Sequence, residues 1–180
     1  MSAQQAKPRL ATIWLDGCSG CHMSFLDIDE RLLDLVGRAD LVYGALVDAK
    51  EFPEGVDVTL VEGAVGSAED LRRLLIVRER TRTLVSLGDC AITTNVPGMR
   101  NSFGPGPALE RAYLQNATLN LQVPKVGLPP LLPESLPVHA CVPVDVYITG
   151  CPPSADRIFQ AISAVLDGRL DEAAPETKFG

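Results

Sequence analysis

The sequence predicts an α/β domain in which a mostly parallel sheet carries helices on both faces. Three features predict it. Short apolar, β-branched runs alternate with stretches of helical spacing. Several of those runs stop at a glycine, and after three of the glycines a cysteine follows closely. With 180 residues, 46% of them hydrophobic, the chain is long enough for one domain of ordinary size with a sizeable core.

The elements follow in order. Residues Arg9–Leu15 (RLATIWL) read as a buried strand stopped at Gly17. From Ser24 to about Arg38, Phe25, Ile28, Leu32, Leu35 and Val36 recur at helical spacing, with Ser24 and Asp27 as a capping pair. Asp40–Val47 and Val56–Gly63 read as the second and third strands. Ser67 followed by Asp70 opens a helix that runs to about Arg82, and Thr83–Cys90 is a fourth apolar strand. The stretch Ala91–Asp145 holds most of the prolines and shows little periodicity, apart from a short helix near Ala108–Gln115. Asp145–Gly150 is the last strand, and Ala155–Leu166 the last helix, with Ile158, Ile162, Val165 and Leu166 on one face. Strands alternating with helices require crossovers onto a parallel sheet, so the expected architecture is a doubly wound, flavodoxin-like domain over residues 9–168. Residues 1–8 are expected to form an N-terminal arm and 169–180 a polar tail. No internal repeat is visible.

Composition narrows the function. A net charge of −7 and a pI near 4.8 argue against nucleic acid, which calls for a basic face. The opening residues MSAQQAKPRL carry neither a signal-peptide apolar region nor a paired-arginine export signal. No apolar run approaches the ~20 residues needed to cross a bilayer. A cytoplasmic location is therefore expected, and there a cysteine pattern suggests metal or catalysis before disulfides.

Cys18, Cys90 and Cys151 share one context, each lying just past a strand and close behind Gly17, Gly88 or Gly150. In an open parallel sheet the turns after the carboxyl ends of the strands meet along one edge, where ligands bind. Cys18, Cys21, Cys90 and Cys151 can therefore converge although they are far apart in sequence. A four-cysteine zinc site usually comes as two local CxxC pairs, and only Cys18–Cys21 is local here. Two ligands from separate strand ends suit the larger footprint of a 4Fe–4S cluster. A CxxC between strand and helix is also the thioredoxin arrangement, but that reading leaves Cys90 and Cys151 unexplained. Cys141 stands before the last strand and Cys151 after it, so the rise of the strand separates them, and Cys141 is read as structural.

The segments WLDGCSGCHMSFLD, LVEGAV, LVSLGDCAITTNVPGMRN and VDVYITGCPP, in this order over residues 9 to 168, together resemble the small subunit of nickel–iron hydrogenases. The resemblance implies a flavodoxin-like domain carrying the proximal 4Fe–4S cluster, with Cys18, Cys21, Cys90 and Cys151 at the ligand positions. It also implies a partner, the large subunit that holds the nickel–iron centre. Related chains of the complex I lineage share a GCPP-like motif but carry two adjacent cysteines in the first element, so CSGC favours hydrogenase. The chain ends soon after the helix that follows Cys151, which resembles the soluble, bidirectional, NAD-reducing group. That likeness implies iron–sulfur and flavin diaphorase subunits as further partners. Met23 occupies a position where many relatives have a glutamate, which puts a proton path there in doubt.

Other residues carry narrower expectations. Gly17, Gly20, Gly88 and Gly150 are read as hinges that bring backbone N–H groups toward cluster sulfides. Pro152 and Pro153 stiffen the turn around Cys151, and Pro153 is placed to open the last helix. His22 is expected at a surface or interface, Glu62 at the interface or in a polar network at the ligand edge, and Trp14 in the core or bordering the cluster. Pro129, Pro130, Leu131, Leu132 and Pro133 are candidate partner contacts. The fold type also admits FMN, but the first strand-to-helix turn, the usual phosphate loop, is occupied by Cys18 and Cys21.

Overall fold

A computed structural model describes residues 6–170, so most of the expected arm and tail lies outside the described residues. In chain order the elements are β1 (Arg9–Trp14), α1 (Gly20–Leu26), α2 (Arg31–Arg38), β2 (Asp40–Tyr43), β3 (Val56–Glu62), β4 (Val65–Ser67) and α3 (Ala68–Arg80). There follow β5 (Thr81–Leu87), α4 (Asp89–Thr93), a 3₁₀ turn (Pro97–Ser102) and α5 (Pro105–Glu110), which continues as a π turn over Arg111–Gln115. The chain then forms β6 (Leu131–Leu136), α6 (Val138–Cys141), β7 (Val146–Ile148) and α7 (Ala155–Leu166).

Five strands form a parallel sheet in the order β2-β1-β3-β5-β7. This is the doubly wound, flavodoxin-like order expected from the alternation of elements. Because helices cover both faces, alternate residues of a central strand enter different cores. Leu60 and Val85 pack with Phe25, Ile28, Ile158 and Ile162 under α1, α2 and α7. Val61 and Leu84 pack with Leu74, Val77, Ala91 and Val138 under α3, α4 and α6.

The helix expected over Ser24–Arg38 is two helices. The CxxC turn is itself wound into α1, so the helix begins at Gly20, and Asp29 at φ 60° breaks the chain before α2. Ser24 is therefore not a cap. It is buried, and its hydroxyl donates to the Pro153 carbonyl at 2.5 Å, tying α1 to the turn before α7. Pro153 likewise does not open α7, whose N-cap is Ser154, with Oγ accepting from Arg157 N–H. The second strand stops at Tyr43, short of the expected Val47.

Ser67 does cap α3. Its hydroxyl accepts from Asp70 N–H at 3.1 Å, while Asp70 Oδ2 accepts from Ser67 N–H at 2.9 Å. This reciprocal pair satisfies two otherwise orphaned donors. Ser67→Ala is expected to lower stability by about 1 kcal/mol. In urea the midpoint should fall with an unchanged m-value.

The stretch Ala91–Asp145 is more ordered than its sequence suggests. β6 pairs antiparallel with β4 in a second, two-stranded sheet, with Val65 opposite Leu136 and Ser67 opposite Leu131. Side chains of the 3₁₀ turn staple it. The Arg100 guanidinium donates to the carbonyls of Gly66 (2.8 Å) and Leu132 (2.9 Å). Asn101 both donates to the Ser135 carbonyl (2.9 Å) and accepts from its N–H (2.8 Å), as a neighbouring strand would. Leu131–Pro133 thus belong to a strand rather than to a loop, while Pro129 and Pro130 precede it and are exposed.

Candidate metal centre

The four thiols arise at the carboxyl ends of β1, β5 and β7. Cys18 follows β1 and is exposed, and Cys21, in the first turn of α1, is buried. Cys90 lies in α4 directly after β5 and is buried, whereas Cys151 follows β7 and is exposed. The site therefore has an inner pair and an outer pair of sulfurs.

Backbone bonds fix these turns relative to one another. Gly88 N–H donates to the Ile148 carbonyl (2.7 Å), and Asp89 N–H to the Gly150 carbonyl (2.9 Å). The Asp89 carboxylate accepts from Gly150 N–H in return, at 2.8 Å. Asp89 thus locks the Cys90 turn to the Cys151 turn, a role that sequence reasoning does not assign to it. Its only sequence signal is an acidic residue between a strand-ending glycine and a cysteine. On the other side, Asp16 and Ala64 exchange backbone bonds at 2.9 and 2.7 Å, which anchors the Cys18 turn to the chain beyond β3.

Gly88 lacks a side chain where one would meet a thiol. Its φ is 81°, and a Cβ built there would fall on Cys21 Sγ. Gly150 is also left-handed, at φ 138°. Gly17 and Gly20 are not left-handed, and Gly20 leaves room for Cys18 Sγ, 3.2 Å from where its Cβ would be.

Burial pushes the Cys21 thiol up to about 12, with the Glu62 carboxylate and then Cys90, Cys18 and Cys151 adding to the effect. Cys90 is raised too, chiefly by burial, while the Val96 backbone N–H donates to its sulfur and opposes the rise. Cys21 is repelled by the other three thiols and Cys90 by Cys151 and Cys18, which brings the four together at one sheet edge. Burial thus favours the protonated forms of Cys21 and Cys90, and bound metal would reverse that preference. Among the described residues, no three His, Cys, Asp or Glu side chains form a group that could hold a single metal ion.

Glu62 and His22 form a buried pair. His22 Nδ1 meets Glu62 Oε2, and the same oxygen accepts from His22 N–H at 2.9 Å. Glu62 is thus in the expected polar network, but His22 is inside the domain rather than at its surface, because the early start of α1 turns it onto β3. Trp14, expected in the core, is 44% exposed and meets the His22 ring edge-on at 5.1 Å. Met23, the next residue along α1, is exposed. Cys141 ends α6 and is half-buried, packed against the core beneath α3.

Thiols from three strand ends thus line the carboxyl edge of a flavodoxin-like sheet. Residues 18–165 match the family described as NADH ubiquinone oxidoreductase, 20 Kd subunit, and the chain belongs to that family. Its similarity within that family is to hydrogenases. It is 39% identical over 171 residues to the delta subunit of the NAD-reducing hydrogenase HoxS of Cupriavidus necator, covering 92% of this chain and 82% of that one. It is 36% identical over 162 residues to a subunit of the F420-non-reducing hydrogenase vhu of Methanocaldococcus jannaschii, where the match covers 89% of this chain but 56% of the relative. The chain thus spans little more than half the length of that relative. Among solved structures, a chain of an NAD+-reducing [NiFe]-hydrogenase in the H2-reduced state superposes with a TM-score of 0.87 at 40% identity, over 91% of this chain and 93% of that one. The resemblance read from the sequence is borne out, and the chain is a hydrogenase subunit.

Proposed function

We propose that this chain is the electron-transfer small subunit of a cytoplasmic, NAD-reducing nickel–iron hydrogenase, with one 4Fe–4S cluster on Cys18, Cys21, Cys90 and Cys151. The observation that carries the proposal is the convergence of these four thiols, from three strand ends, in one pocket at one sheet edge. When bound, such a cluster supplies one-electron storage and transfer. The chain's own residues then have distinct tasks. Cys21 and Cys90 face the low-dielectric inside, and Cys18 and Cys151 face the surface from which a partner is reached. The Asp89–Gly150 lock holds two ligand turns at a fixed separation, and Glu62 anchors the first turn of α1 through His22. Met23 has no proton to pass, so proton traffic does not run through that side chain.

The partner on the cluster edge is a nickel–iron large subunit, in keeping with the hydrogenase relatives. Electrons pass on to a diaphorase module with iron–sulfur and flavin subunits. The first strand-to-helix turn, where an FMN phosphate would rest, holds thiols, and the flavin is assigned to the diaphorase. No helix among the described residues is long and apolar enough to cross a membrane.

Iron, acid-labile sulfide and electron paramagnetic resonance on the anaerobically purified chain test the assignment. Equal iron and sulfide with a signal on reduction is the expected result. A colourless chain containing zinc and no sulfide would sink it.

A further inference from the structure

The residues that follow Cys90 have an unusual backbone. Thr94, the C-cap of α4, and Asn95 both take positive φ, 66° and 32°, although neither is glycine. The two left-handed residues turn the chain back over the thiol edge. Asn95 Nδ2 then donates to Cys151 Sγ at 3.3 Å, across to a different strand end. The next residue, Val96, directs its backbone N–H to the Cys90 sulfur. The turn is fixed from behind, since Thr94 N–H donates to the Cys90 carbonyl (3.1 Å) and Gly98 N–H to the Thr94 carbonyl (3.1 Å). Gly98 is itself required, because a Cβ there would fall on Thr94 Oγ1.

We infer that Thr94–Asn95–Val96 is a tuning clip, giving one N–H donor to each of two ligand sulfurs and raising the reduction potential of the cluster proposed above. The inference rests on that cluster assignment. Reduction by one electron adds negative charge to the sulfurs, so donors already aimed at them favour the reduced state. Asn95 is the positioning residue of the clip. Asparagine tolerates the left-handed backbone and carries the amide that reaches Cys151.

The test compares Asn95→Gly, which keeps the backbone free to turn but removes the donor, with Asn95→Asp, which keeps the shape and turns the donor into an acceptor. Redox titration of the full chain, followed by electron paramagnetic resonance, reads the midpoint potential. Iron and sulfide are measured in every sample. Asn95→Gly is expected to shift the oxidised-to-reduced ratio about tenfold toward oxidised, a midpoint lowered by about 59 mV for one electron. Asn95→Asp should lower it at least as far. An unmoved midpoint in both variants, or a raised one in Asn95→Asp, overturns the clip while leaving the cluster assignment standing. Loss of cluster from both variants with unchanged circular dichroism also overturns it, in favour of a purely structural role. A wild-type chain without iron and sulfide overturns the cluster assignment itself, and the clip with it.

Discussion

Serine in place of Cys18, Cys21, Cys90 or Cys151, one at a time, is expected to abolish the 4Fe–4S cluster or convert it to another form, whereas Cys141→Ser should keep it intact. Cluster irons are held by thiolates, and a serine hydroxyl replaces a soft sulfur donor with a hard and weakly acidic one. The inner pair should be the more sensitive. Cys21 and Cys90 are buried, so a serine there also places a more strongly polar group inside the domain. Cys141 lies on α6, packed against the core beneath α3 with Val138 and Val142 near it, and takes no part in the shared pocket of the other four. Iron and sulfide content with spectroscopy on each variant checks the set. Loss of the cluster in Cys141→Ser alone, with the four others unaffected, would show that the wrong thiol has been left out.

The second large effect concerns the route of the electrons. A complex of this chain with only the nickel–iron large subunit is expected to reduce an artificial one-electron dye with dihydrogen and to leave NAD at background. Oxidation of one dihydrogen releases two electrons and two protons, and NAD accepts two electrons with one proton as hydride. A cluster that passes electrons singly cannot make that delivery, so a flavin must collect the pair. The first strand-to-helix turn of this chain holds thiols where a flavin phosphate would rest. Addition of the iron–sulfur and flavin diaphorase subunits should restore NAD reduction with the dye rate unchanged. Efficient NAD reduction by the two-subunit complex would place the flavin, or its equivalent, nearer than proposed here.

What is legible in the sequence is what local pattern encodes. β3 and β5 are buried along almost their whole length because both their faces are covered, and their glycine stops mark the sheet edge. The candidate ligands follow from those stops, since one topology brings all such turns together. Features set by distant partners are not legible. Ser24 looks like a helix cap and instead donates to Pro153, a residue 129 positions away. β4 has three residues and β6 contains a proline, so they carry no alternation strong enough to be read; Arg100 and Asn101 complete their hydrogen bonding. His22 reads as outward-facing because the apolar spacing does not reveal the first turn of α1, and that single turn decides which side of the helix it occupies.

The strand that delivers the fourth thiol is β7, three residues long, outermost in the sheet and the last of its strands to leave the ribosome. Cys18, Cys21 and Cys90 are already synthesised while β7 is still missing, so on the proposed ligand set a nascent chain offers three sulfurs and an open fourth position. Only when Val146–Ile148 pairs with β5 and Asp89 takes the Gly150 N–H does the pocket close. Cofactor capture in this subunit would then report on biogenesis: a chain that stalls or is clipped before its final strand has three of the proposed sulfur donors and lacks the complete ligand set.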